Sequence, residues 1–175
     1  MINGQFASPV QLGATAPGGG TFSDLGQPVI NNRGDIAFFA SVINPFSSGG
    51  WYVADSSGVR LAAAKGTPLA PVGGQGTIGP LTINTVPFLS LNDCGDLLFH
   101  TEAITSGSNL DTILLSKVGG YLEVLAQANQ FAPGGGTYSS FNVAPALNNS
   151  ASAVLSPSIA TPAGTVDNGS YITVN

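Results

Sequence analysis

The stretch APGGGTFSDLGQPVINNRGDIAFFA, residues Ala16 to Ala40, holds a glycine-rich turn, a short apolar segment, an Asn-Asn-x-Gly turn and a second apolar segment. Its first turn returns as APGGGTYSSFN at 132–142, with the looser APVGGQGTIG at 70–79 between them. Ala16, Ala70 and Ala132 are separated by 54 and 62 residues. The second half returns too. INNRGDIAFFA is followed by LNDCGDLLFHT and LNNSASAVLSP, which puts Asn31, Asn92 and Asn148 at intervals of 61 and 56. Similar features in the same order and at nearly equal spacing define three copies of a supersecondary unit. The copies span approximately 1–58, 59–120 and 121–175 of a single β-repeat domain.

Each unit is expected to supply about four antiparallel strands. The first is VRLAAA from Val59 or YLEVLA from Tyr121. The second is PVI at 28–30, VPFLSL at 86–91 or VAPAL at 143–147. The third is DIAFFASV at 35–42 or DLLFHTEA at 96–103, and the fourth is WYVAD at 51–55 or TILLS at 112–116. Their branched and aromatic residues suit a pleated sheet. Asn, Asp and Gly in NNRG and NDCG supply turn chemistry at the entry to the third strand. The predicted fold is all-β, built of three propeller-blade-like repeats, with a compact threefold β-prism or trefoil-like domain as the alternative.

The chain ends cut a hairpin. GSYITVN at 169–175 reads as a fourth strand, and NGQFASPVQLG at 3–13 as a first strand. Residues Gln5, Phe6 and Val10 at one end and Tyr171, Ile172 and Val174 at the other are therefore candidate assembly strands. They would pair with each other or with another copy, since unpaired strand edges expose rows of N–H and C=O groups.

Composition narrows the functional classes. Four basic residues against nine acidic ones give a formal charge of −5, so a nucleic-acid partner has no basic footprint to meet. No apolar run approaches the ~20 residues of a membrane-spanning helix. The 24 glycines and 12 prolines fit a turn-rich sheet protein, and only 7% of residues are charged, a finish that suits an exported or assembling protein. The single Cys94 excludes an internal disulfide framework.

Reactive side chains repeat less faithfully than the turns. His100 stands where Phe39 and Ser156 stand in the other units, and Cys94 where Arg33 and Ser150 stand. Asp35 and Asp96 coincide, but Ser152 replaces them in the third unit. Paired carboxylates can hydrolyse glycosidic bonds, although a strand-entry turn explains these two more economically. Asp24, Asp55, Asp93, Glu102 and Asp111 could offer oxygen ligands, yet no DxDxDG loop gathers them. The PGGG turns lack a following GK[ST] and so do not read as phosphate loops. Trp51 and Tyr52 are candidate glycan-stacking residues, with Tyr121, Tyr138 and Tyr171 as further aromatics. Asn148 and Asn168 each open a glycosylation sequon. No catalytic, cofactor-binding or metal-ligating set is assigned, and no cofactor is expected.

The succession GATAPGGGTFSDLGQPVINNRGDIAFFA and GGWYVADSSGVRLAAAKG resembles the tandem repeat of secreted or surface-anchored bacterial proteins with an Asn-x-x-Gly-x-x-x-Phe core. Asn31, Gly34 and Phe38 carry that core in the first unit and Asn92, Gly95 and Phe99 in the second. The third departs from it with Asn148, Ala151 and Leu155. The resemblance implies an extracellular or cell-surface setting and brings no catalytic residues with it. The expected function is a noncatalytic structural subunit that self-associates through its terminal strands into a filament or closed oligomer, its partners being copies of itself. The alternatives are a carbohydrate-binding module for an extracellular glycan and a glycan hydrolase using paired carboxylates.

Overall fold

The structure, a computed structural model, describes residues 10–43, 48–79, 88–141 and 143–167. Among them every regular element is a β-strand, apart from one 3-10 turn over Ala70–Val72. The first sheet holds β1 (Thr21–Leu25), β2 (Val29–Ile30), β3 (Ile36–Ile43), β4 (Ser48–Asp55) and β5 (Gly58–Ala64). β3 is its hub: β1 pairs with the C-terminal half of β3 and β2 with its beginning, while β4 lies along the opposite edge and β5 outside β4.

The second sheet repeats this scheme with β6 (Thr77–Ile78), β7 (Leu89–Leu91), β8 (Leu97–Ile104), β9 (Asn109–Ser116) and β10 (Leu122–Gln127). A third set follows: β11 (Thr137–Phe141), β12 (Ala146–Leu147), β13 (Ala153–Val154), β14 (Pro157–Thr161) and β15 (Gly164–Asp167). All pairings are antiparallel, and their registers correspond. Ile30 faces Ile36, Leu91 faces Leu97 and Leu147 faces Ala153. Thr21, Thr77 and Thr137 face Ile43, Ile104 and Ala160. β13 and β14 together thus stand where β3 and β8 run unbroken. The break falls just before Pro157, which has no N–H to give to a ladder.

The all-β reading of the sequence holds, with two differences of detail. β1, β6 and β11 follow the glycine turns directly, in segments read from sequence as part of those turns. Ser and Asp in β1 and Ser in β11 hide those two, β6 is only two residues long, and β1 and β11 both pair through a bulge at the same place, Phe22/Asp24 and Tyr138/Ser140. The loop of the second unit also aligns differently. Leu69 N–H donates to Gly76 O just as Ala16 donates to Gly20 O and Ala132 to Gly136 O, so Leu69 rather than Ala70 is the counterpart of the two alanines. Gln5, Phe6, Tyr171, Ile172, Val174 and the fourth strand expected at 169–175 lie outside the described residues.

The sheets pack face to face through alternating side chains. Ala37, Phe39, Trp51 and Val53 of the first sheet meet Leu97, Phe99 and Leu114 of the second, with the Trp51 and Phe99 rings stacked 4.5 Å apart. The other face of the second sheet sends Leu98, Ile113 and Leu115 against Tyr138, Phe141, Leu155 and Ile159. Both faces of β8 are therefore covered, which is why Leu97-Leu98-Phe99 is a continuous apolar run. On the far face of the first sheet, Phe22, Phe38 and Tyr52 form a third cluster against which Val10 packs.

The glycine turn repeats because its backbone demands it. Gly18, Gly19 and Gly20 have φ of 91°, 104° and 78°, and Gly134, Gly135 and Gly136 have 92°, 104° and 83°. Three consecutive positive-φ positions exclude ordinary L-residues at about 1–2 kcal/mol each. The Asn turns need the same conformation once: Gly34 at 86° and Gly95 at 87°, but Ala151 at 61°. Ala151 is held there despite its Cβ. Ala151→Gly is accordingly expected to raise stability by about 0.5–1 kcal/mol, the relief of left-handed strain less the greater freedom of glycine in the unfolded chain. Urea unfolding of the two proteins checks it, and an unchanged or lowered midpoint would contradict the strain.

Candidate functional site

The most developed polar constellation among the described residues is the column of Asn turns at the entry to the central strands. Within each turn one asparagine side chain folds the backbone around itself. Asn31 Oδ1 accepts N–H groups of Arg33 at 3.0 Å and Asp35 at 2.9 Å. Asn92 Oδ1 accepts those of Cys94 at 3.0 Å and Asp96 at 2.8 Å, and Asn148 Oδ1 those of Ser150 at 3.0 Å and Ser152 at 2.8 Å. This is the local side-chain-to-backbone bonding that Asn favours at turns. Asp35 and Asp96 brace the amides: Asn31 Nδ2 donates to Asp35 Oδ2 at 2.9 Å, and Asn92 Nδ2 to Asp96 Oδ2 at 3.0 Å.

The same amides reach the next unit. Asn31 Nδ2 donates to the Asn92 carbonyl at 2.9 Å, and Asn92 Nδ2 to the Asn148 carbonyl at 3.1 Å. A parallel column runs beside it. Asn32 N–H donates to Asp93 Oδ1 at 2.9 Å, and Asp93 N–H to Asn149 Oδ1 at 2.8 Å. Asn32 and Asn149 side-chain amides both donate to Asp93 Oδ2, at 3.1 and 2.8 Å, and Arg33 Nη1 donates to Asp93 O at 3.0 Å. The two side-chain amides hold the Asp93 carboxyl below the usual range, with the Asn32 N–H adding to them. Arg60 of β5 crosses to the Gly95 carbonyl, and Ser116 Oγ to Ala62 O at 3.1 Å. Burial follows position in the stack: Asn92 is 3% exposed, Asn31 is half-buried and Asn148 is exposed.

A second tie joins the second and third units. Asp111 Oδ2 accepts the Phe141 N–H at 3.2 Å, while His100 Nε2 stands 3.6 Å from Asp111 Oδ1. That separation is longer than a hydrogen bond, so the two attract as an ion pair when the imidazole is protonated. His100 foremost, and then the Phe141 N–H, keep the Asp111 carboxyl below its ordinary range against the opposing effect of burial. Gln127, fully buried, accepts from Gln75 N–H at 2.7 Å and donates to Gln75 O and Thr112 Oγ1, both at 3.0 Å. It anchors the longer loop of the second unit.

The residues singled out in the sequence fall apart spatially. Trp51 is 0% and Tyr52 3% exposed, each in a different core cluster, so neither offers a ring face to a glycan. Among the described residues of that set, Tyr121, at 76% exposure, is the one that meets solvent. Asp35 and Asp96 serve their own Asn turns, and Asp35 also lies 3.7 Å from Arg33. The other carboxylates are engaged locally as well: Asp24 with Leu25 N–H, Asp55 with Ser57, and Glu102 with Asn109. Cys94 is exposed in its turn, its Sγ 3.4 Å from Asn149 O. Asn148 of the first sequon is a turn-forming residue, and Asn168 lies outside the described residues. Sequence reasoning named Asp93 only as a possible oxygen ligand and missed the link it forms with Asn32 and Asn149, whose signal was present: the three recur at the intervals of the asparagines they follow. Comparison with protein-family models, curated proteins and solved structures found no match for the chain.

Asn92→Ala is expected to cost about 2–4 kcal/mol, since it strips two backbone N–H groups, a carboxylate and the neighbouring carbonyl of partners in a buried setting. Chemical denaturation measures it, and a loss below about 0.5 kcal/mol would remove the column from the stability of the fold. Acid provides a separate check. A carboxyl with a lowered folded pKa stabilises above its unfolded value, near 3.8 for Asp, and that contribution vanishes as pH falls through the folded value. Stability should therefore drop below about pH 4, and less steeply in Asp111→Asn. Identical pH profiles would show that Asp111 contributes nothing to the drop.

Proposed function

We propose that the chain is a noncatalytic structural repeat protein of the cell surface or extracellular space, made of three propeller-blade-like units, that self-associates through its terminal strands. The observation that carries this reading is the correspondence of Val10 with Ala63 and Ala126. Val10 precedes Ala16 in the chain as Ala63 precedes Leu69 and Ala126 precedes Ala132. All three lie in inter-strand apolar clusters, with Ala63 and Ala126 near the ends of β5 and β10. In sequence, the residues leading to Val10 hold the place that β5 and β10 hold before Ala63 and Ala126, and those strands pair with β4 and β9. Those two partners are already taken. The fourth strand that stands without a fifth among the described residues is β15, at the opposite end of the chain. Joining the two ends between copies gives a directional contact built from backbone hydrogen bonds.

The polar chemistry agrees with a scaffold role. The asparagine columns and Asp111 bind one unit to the next, and Arg60 ties the first sheet to the turn that enters the second. Few charged side chains oppose the approach of a second chain. Sedimentation over a concentration series, with electron micrographs of the same samples, is expected to show mass growing with concentration. Ile172→Pro, which strips that residue of its backbone N–H, should diminish that growth. A protein that stays monomeric at every concentration would overturn the proposal.

A further inference from the structure

Among the described residues the two asparagine columns are open at both ends, and the ends match. At the third unit, the Asn148 Nδ2 and the Asn149 N–H occupy the places from which Asn31 and Asn92, and Asn32 and Asp93, donate forward. Both residues are exposed, and among the described residues neither of those donors has an acceptor in a following unit. At the first unit, the Asn31 carbonyl and Asn32 Oδ1 occupy the places in which the Asn92 and Asn148 carbonyls, and Asp93 and Asn149 Oδ1, accept. Two donors at one end meet two acceptors at the other.

The apolar side chains flanking the columns show the same interruption. Leu91 and Leu147, which pair at the starts of β8 and β13, lie half-buried against the clusters containing Ala37 and Leu98 of the preceding unit. Ile30, their counterpart in the first unit, is 69% exposed. Ala37 and Leu98 are 0% exposed, whereas Val154, in the same register on the third unit, is 38% exposed. Each exposed residue is the half of a contact made twice within the chain.

We infer that a second copy of this chain docks head to tail on these ends, its Ile30-Asn31-Asn32 edge seated on Asn148, Asn149 and Val154 of the first copy. The inference rests on the self-association reading and specifies where the copies meet. The occupant is a copy because the partner that each end lacks among the described residues is the one the other end presents. Ser156, in place of Phe39 and His100, makes the receiving face of the third unit more polar, so the junction is small, carried by hydrogen bonds and two apolar contacts, and reversible. Such a contact is heterologous: it closes into a ring if the rotation between copies allows, and otherwise extends as a filament.

Asn148→Asp keeps the Oδ1 acceptor that forms the turn and replaces the forward donor by an oxygen facing the Asn31 carbonyl. Ile30→Asp and Val154→Asp change exposed residues at opposite ends. Each is measured as full-length protein by sedimentation velocity, with thermal unfolding to establish that the fold persists. Each single variant is expected to associate at least about tenfold more weakly than the parent. An equimolar mixture of Ile30→Asp and Val154→Asp should yield a two-chain species, because one intact edge remains on each partner. If the parent assembles and all three variants assemble as well, the column junction is overturned while self-association through other strands stands. If the parent does not assemble, both fall.

Discussion

The arrangement depends on a buried primary amide that belongs to two units at once. Asn92 closes its own turn with one atom and holds the next turn with the other, at 3% exposure. An amide with one acceptor and two donors is suited to this: Oδ1 accepts twice from its own backbone, and Nδ2 divides its hydrogens between its own Asp and a neighbour. Asp could form the turn but not reach across, and Ser could do neither so fully. The repeated asparagine is thereby tied to stacking as firmly as to local conformation. Register between sheets follows, since a slip of one residue would part the two columns and turn the apolar faces outward together.

Around that amide the sequence divides labour between backbone and side chain. The three-glycine turns conserve a path that only glycine follows easily. The central strands conserve apolar character on both faces without conserving identity, so Trp51 faces Phe99 at one junction and Ile113 shares a cluster with Leu155 at the other. Apolar volume is interchangeable between units to a degree that turn geometry is not.

This division also explains what was legible beforehand. The repeat, the strand character of 36–43 and 97–104 and the Asn turns follow from residue type and spacing. The strands at 21–25 and 137–141 do not, because a bulged partner of half a strand has no clean two-residue period, and the one at 77–78 is too short to show any period. Trp51 and Tyr52 were candidates for a glycan face although packing is the ordinary role of aromatics on a sheet, and both prove to pack: in a strand covered on both sides, an aromatic pair carries no sign of which face meets water. Asn32, Asp93 and Asn149 were visible as a recurrence, but their bonding runs between units, and a sequence read unit by unit does not join them. The third unit shows the cost of departure. Ala151 keeps its turn at a positive φ, and Ser152 takes the place of an aspartate.

Identical joints have a genetic corollary. Since every junction matches the same donor pair to the same acceptor pair, deletion of a whole internal repeat would bring Asn31 and Asn32 against Asn148 and Asn149 with that pairing intact, although the side-chain amides of Asn32 and Asn149 would lose their shared Asp93 acceptor. Duplication would insert a unit as readily. Length in such a protein is therefore free to vary by whole units under recombination, while changes of a few residues within a turn are not tolerated in the same way.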